Sequence, residues 1–146
     1  MIDWQFARFD ELSPRALYVM LQARQEVFVL EQQCLFQDLD DADPKALHLL
    51  GWVEGKLVAY LRIFAPGVKH EEASIGRVLT TREVRRTGAG RLLMAEGLRR
   101  VEALYPTHRI RIGAQQYLEK FYGSFGFETV SAPYDEDGIV HVEMLR

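Results

Sequence analysis

The chain has 146 residues, is 48% hydrophobic and carries a formal charge of −3. That length sets an expectation of one domain over 1–146, burying about 68–70% of the surface its unfolded chain would expose. No apolar run approaches the roughly 18 residues of a membrane span, the start Met1-Ile2-Asp3-Trp4 lacks a basic, apolar, cleavable leader, and Cys34, the only cysteine, excludes an internal disulfide or a cysteine metal cluster; the expectation is a soluble, cytoplasmic protein with no membrane partner.

Trp4 to Phe9 alternates apolar and polar residues, as a half-buried strand does. Ser13-Pro14 then supplies an N-cap and a first-turn proline. Apolar residues at Leu17, Met20, Leu21, Val27 and Phe28 predict one or two helices reaching Glu31, and the aspartate-rich segment 38–44 reads as loop. Leu47 to Val53 and Leu57 to Phe64 form two predicted strands joined by a hairpin turn at Glu54-Gly55-Lys56. Pro66-Gly67 breaks the second, and Ala73 to Thr80 is the next strand. A helix follows over Leu92 to Leu104, with Leu93, Met94, Leu98, Val101 and Leu104 on one stripe, and Pro106 ends it. Thr107 to Ala114 is a strand, Gln116 to Phe125 a short helix stopped by Gly126. A last hairpin runs Glu128 to Tyr134, turns at Asp135 to Gly138, and returns over Ile139 to Leu145. The expected architecture is α/β: a mixed, mainly antiparallel central sheet flanked by helices on both faces.

Charge is unevenly spread. Residues 77–111 hold nine arginines and three glutamates, a balance of +6, which leaves −9 for the rest. At the centre of this sector lies Val84-Arg85-Arg86-Thr87-Gly88-Ala89-Gly90-Arg91, between a strand and a helix. Glycines admit a close backbone approach, and the first-turn N–H groups of the helix have no intrahelical partners. With flanking guanidiniums they form a cradle for a pyrophosphate or a similar anion. No Lys follows the glycines as a P-loop requires, and Leu93 stands where a dinucleotide fingerprint needs its third glycine. The acidic total, and arginines not interleaved with a row of aromatics, argue against a nucleic-acid platform. Asp38, Asp40, Asp41 and Asp43 are expected either to attract a cationic acceptor or to be a solvated loop.

A second signal follows downstream, Ala114-Gln115-Gln116-Tyr117-Leu118-Glu119-Lys120-Phe121-Tyr122-Gly123-Ser124-Phe125-Gly126-Phe127. With the basic glycine loop before it, the chain resembles the GNAT superfamily of N-acetyltransferases over roughly residues 46 to 146. Arg24 to Gln32, the acidic segment, and Tyr134 to His141 extend the likeness towards the small ElaA-like branch.

The resemblance implies the acyl-CoA N-acyltransferase fold and transfer of an acyl group, acetyl foremost, from acyl-CoA to a primary amine of a small molecule or peptide by direct attack. Acetyl-CoA would be the co-substrate, with no metal. The alternative is a non-catalytic acyl-CoA sensor or interaction module. On the family's pattern, main-chain groups of Val78, Leu79 and Thr80 would meet the pantetheine and acyl carbonyl. The pyrophosphate would sit on Arg86, Thr87, Gly88, Ala89, Gly90 and Arg91, with Arg85, Arg86 and Arg91 adding charge. Tyr122 would face the sulfur as the catalytic acid. A phenol near pKa 10 gives its proton to a thiol near 8.5 only uphill, by roughly 2 kcal/mol, so a hydrogen bond to the thiolate is the easier role. Ser74 stands where some members carry a basic glutamate. Glu31, His48, His141 and Glu143 are the remaining candidates for a base, and the terminal hairpin is a candidate dimer surface.

Overall fold

The computed structural model describes all residues from 1 to 146. Eight strands, β1 (Asp3–Arg8), β2 (Leu47–Val53), β3 (Lys56–Phe64), β4 (Ala73–Thr80), β5 (Ile110–Gln115), β6 (Glu128–Thr129), β7 (Tyr134–Glu136) and β8 (Ile139–Leu145), form one sheet. Its order is β1-β2-β3-β4-β5-β8-β6, with β7 also on β8. Every ladder is antiparallel except β4 with β5, which is the mixed, mainly antiparallel sheet expected. Two hairpins close on residue pairs with positive φ, Glu54 (50°) with Gly55 (77°) and Asp137 (52°) with Gly138 (83°). That geometry matches the right-handed twist of the strands. The second turn is tighter than the expected Asp135 to Gly138, because Asp135 and Glu136 pair in the ladder with Val140 and Ile139.

Strand alternation sends Leu49, Leu61 and Ile63 to one core, where α2 (Ala89–Leu104) buries Leu93, Met94, Leu98 and Val101. Leu50, Tyr60 and Leu79 face the other core, beneath α1 (Pro14–Arg24). Helix α1 starts as the sequence indicates: the Ser13 hydroxyl accepts the Ala16 N–H at 3.0 Å, with Pro14 in the first turn. Beyond Arg24 the chain does not begin a new α-helix. Gln25–Glu31 continues as a π-helix, whose wider turn re-aims the side chains that follow. The short helix after β5 is also smaller than expected, a 3₁₀ turn at Gln116–Leu118 and then α3 (Glu119–Gly123).

Two irregularities position the site. Strands β4 and β5 pair only at Ala73 with Ile110 and at Ser74 with Arg111, then part. On its other side β4 bulges: Gly76 pairs with Arg62 and Leu79 with Tyr60, so Arg77 and Val78 oppose Leu61 alone, and Arg77 takes φ 50°. A bulge of this kind bends its strand and redirects side chains.

Candidate functional site

Beyond Ser74 the parting of β4 and β5 opens a cleft of about 1080 Å³. It reaches Val78, Leu79, Thr80, Arg85, Gly90 and Tyr122, and so brings six of the expected site residues to one space. Arg86, Thr87, Gly88, Ala89 and Arg91 are not part of its lining and form the loop and first turn of α2 beside it. Gly88 is the residue before that helix and has φ 89°, a conformation that L side chains rarely adopt. The Leu79 side chain belongs to the α1 core, so only its main chain is at the service of the cleft.

The arginines divide in a way the sequence does not show. Arg85 donates to Glu31 at 2.6 Å and to the Thr80 carbonyl at 2.9 and 3.1 Å, and Arg82 pairs with Glu31 at 3.1 Å. Arg77, Arg99, Arg100 and Arg111 are likewise held by carboxylates. Arg91 donates to the Ser124 hydroxyl at 3.1 Å with its guanidinium over Phe125, and Arg86 is exposed with φ 65°. The loop charge not committed to a carboxylate is therefore that of Arg86 and Arg91. Glu31, engaged twice, is not disposed to act as a base.

Tyr122, on α3, is buried edge-on against Phe121 and Phe127. Burial, with the neighbouring Tyr117 phenol second, pushes its pKa up to about 12. That strengthens the case for hydrogen bonding over full proton transfer: against a thiol near 8.5 the gap becomes roughly 5 kcal/mol. Tyr117 is exposed.

The aspartate segment is neither a lure for cations nor a solvated loop. Arg24 and Arg62, both fully buried, are neutralised from it. Arg24 donates to Asp38 at 2.9 Å and to Asp43 at 2.6 Å; Arg62 donates to Asp43 at 2.9 Å and to Asp40 at 2.6 and 2.9 Å. Arg77, displaced by the bulge, reaches Asp38 at 2.7 Å. Asp40 is held far below the usual carboxylate range, chiefly by the Arg62 hydrogen bond. Burial works against ionisation of Asp43, yet its bonds to Arg24 and Arg62 bring its pKa down. Asp41, exposed and at φ 61°, is the one aspartate of the four that holds no arginine. Sequence reasoning passed over this cluster, though two signals were present: Arg24 follows Ala16 and Met20 at helical spacing on the buried face, and Arg62 interrupts the apolar run of β3.

Four contacts carry the segment between the π-helix and Asp38 across the cleft. Besides Glu31 and Asp38, the Gln32 side-chain oxygen accepts from Gln115 at 3.3 Å, and the Cys34 thiol donates to the Asp137 carbonyl at 2.9 Å. His48 is a satisfied core histidine: Nε2 donates to the Asp43 carbonyl at 2.9 Å, Nδ1 accepts from Tyr60 at 2.6 Å, and burial pushes its pKa down. His141 and Glu143, by contrast, line the cleft together with Tyr134 and Arg111. Ser74 is buried at its edge, and Glu72 just before it is bound by Arg111 at 3.0 Å.

A sequence model of the acetyltransferase (GNAT) domain matches residues 10–146. The chain belongs to the GNAT acetyltransferase family. Protein ElaA of Escherichia coli is 42% identical over 148 residues, spanning 100% of this chain and 97% of that protein. The crystal structure of ElaA superposes with a TM-score of 0.94 at 41% identity, covering 100% of this chain and 99% of that one. An acyl-CoA N-acyltransferase from Pseudomonas aeruginosa superposes with a TM-score of 0.95 at 39% identity, over 100% and 99% of the two chains. The ElaA-like branch of the family and its acyl-CoA N-acyltransferase fold are thereby shown for this chain.

Proposed function

We propose that this GNAT family member transfers an acyl group, acetyl foremost, from acyl-CoA to a primary amine by direct attack within a ternary complex. The observation that carries the proposal is the parting of β4 from β5 after two paired residues, next to the glycine turn of α2. An extended pantetheine arm fits that gap, where the strand edge of Val78 to Thr80 has no β5 partner. The N–H groups at Gly88, Ala89, Gly90 and Arg91 receive the pyrophosphate, and Arg86 and Arg91 supply uncommitted charge. Arg85 joins them by exchanging Glu31 for phosphate. Tyr122, which lines the same cleft, would donate a hydrogen bond to the thioester sulfur as thiolate character develops.

Isothermal titration with acetyl-CoA tests the cofactor half. Binding is expected for the native chain and loss of binding for Gly88→Asp, which forces a side chain into φ 89° and sets a carboxylate beside phosphate. An affinity unchanged by that substitution removes the loop from the reading. Thiol release over a panel of amines tests the transfer half. Cofactor binding with no release above background identifies an acyl-CoA sensor instead.

A further inference from the structure

The side of the cleft formed by β5, β7 and β8 carries chemistry that the cofactor does not use. His141 of β8 donates through Nδ1 to the Ile139 carbonyl at 2.8 Å. A carbonyl only accepts, so Nδ1 carries the hydrogen and Nε2 of the neutral ring holds the lone pair. That nitrogen lies 3.5 Å from the Glu136 carboxylate of β7, placed to hold an imidazolium once formed. Tyr134 stacks on the ring, with centroids 5.9 Å apart, but its hydroxyl is committed to Glu143 at 2.5 Å. Burial and that hydrogen bond push the Tyr134 pKa up, so this phenol keeps its proton. Arg111 holds Glu143 at 3.2 Å while also binding Glu72. One positive charge is thus shared by two carboxylates, and Glu136 adds a third. The Cys34 thiol and Asp137 carbonyl, bonded to each other, close this end, and Lys69 beyond is drawn to Asp40 at 3.7 Å.

Resting on the N-acyltransferase reading, we infer that His141 is the proton acceptor for the acceptor amine, and that this amine is one presented as an ammonium ion. The ammonium gives one proton to Nε2, and the imidazolium pairs with Glu136. The freed nitrogen lone pair attacks the thioester carbonyl carbon; the C–N bond forms and the carbonyl π pair moves to oxygen. Collapse breaks the C–S bond, and the sulfur leaves with that electron pair. A second proton from nitrogen passes through solvent to sulfur, giving amide and free thiol, and His141 returns its proton to solvent. Arg111 and Tyr134 are positioning residues that hold the Glu143 carboxylate in place, and Glu143 with Glu136 and Glu72 gives the wall its negative charge. Gly113 leaves the room they need: a Cβ there would lie 3.1 Å from the Glu143 carboxylate and 3.3 Å from the Tyr134 hydroxyl.

The test compares two acceptors with acetyl-CoA at pH 7. One is n-butylamine, almost wholly cationic; the other is 2,2,2-trifluoroethylamine, largely neutral. His141→Asn retains a donor for the Ile139 carbonyl and removes the basic nitrogen. With n-butylamine, kcat/KM is expected to fall about 100-fold, whereas with the neutral amine it stays within a factor of three. Glu136→Gln, on a more exposed side chain, is expected to fall several-fold with n-butylamine only. Acetyl-CoA affinity measured calorimetrically is expected to be unaltered in both variants. Equal losses with the two amines identify a merely structural ring and overturn the assignment, as does no loss with either. A native chain that binds acetyl-CoA and acylates neither amine overturns amine transfer itself, which is a different failure from an active enzyme indifferent to His141.

Discussion

Asp43 is a single carboxylate with two buried guanidiniums on it, Arg24 at 2.6 Å and Arg62 at 2.9 Å. Replacing it by Asn leaves both cations short of countercharge in a region that water does not reach. Denaturant unfolding of Asp43→Asn is expected to show a loss of about 3–5 kcal/mol, the range for breaking a buried pair by removing one partner. Asp41→Asn, one turn of loop away and exposed, is expected to be neutral in the same measurement. Tyr122→Phe is the complementary case, since it removes one hydroxyl and almost no packing. Steady-state kinetics should show kcat down about 10- to 100-fold, the worth of a hydrogen bond to a charged partner, with acetyl-CoA affinity within a factor of two. The sequence yielded Tyr122 through its place before Gly126-Phe127, and His141 and Glu143 as two of four candidate bases. It could not separate them from His48 and Glu31. What singles out His141 is three-dimensional: His48 spends both ring nitrogens on the core, Glu31 spends both oxygens on arginines and Glu143 spends both on Arg111 and Tyr134, while His141 lines the cleft with only Nδ1 hydrogen-bonded.

Helix α2 links cofactor loop and sheet, and it packs unusually close. A Cβ at Gly97 would lie 2.7 Å from a methyl of Leu61, a fully buried residue of β3. Gly97→Ala therefore sets a propensity gain of about 1 kcal/mol against overpacking of about 1–3 kcal/mol. We expect packing to win, with a lower midpoint in urea and an unchanged slope. A midpoint that rises would show that α2 has slack against the sheet. At this scale the sequence was most readable where one period ran uninterrupted: the stripe of α2, the alternation of β1, the glycine-bearing turn after Val53. It failed where a wider helical turn carries α1 onward through Gln25–Glu31, because apolar spacing there still fits an ordinary helix. It also failed for the segment that crosses the cleft. The bonds of Gln32 to Gln115 and of Cys34 to Asp137 join residues far apart in the chain, and no local pattern encodes them.

Acid should find this protein through its aspartates. The folded-state pKa values of Asp40 and Asp43 lie below that of an aspartate in an unfolded chain, near 3.9. Their contribution is thus complete above about pH 4 to 5 and is lost as pH falls through their depressed folded values. Thermal melts between pH 7 and 3 are expected to be flat at first and then to drop steeply below about pH 4. Asp43→Asn should drop less, having little of this linkage left to lose. A melting point as flat at pH 3 as at pH 6 would show that the cluster adds nothing. Sheet class and the basic sector were readable from the whole chain because they follow from patterning and composition, whereas the order of the strands around the cleft was not. The pairing of that sector with carboxylates was not, since it depends on which loops return to it. One further result belongs to the molecule entire. With only two rungs of parallel ladder at Ala73 and Ser74, the sheet divides beyond them into two leaves joined by one core underneath. An elongated guest that bonds to both leaves acts as a splint, and its saturation at a hundred times its dissociation constant adds about 2.7 kcal/mol to the folded state. The resistance of this sheet to unfolding is therefore expected to rise with the amount of guest surrounding it.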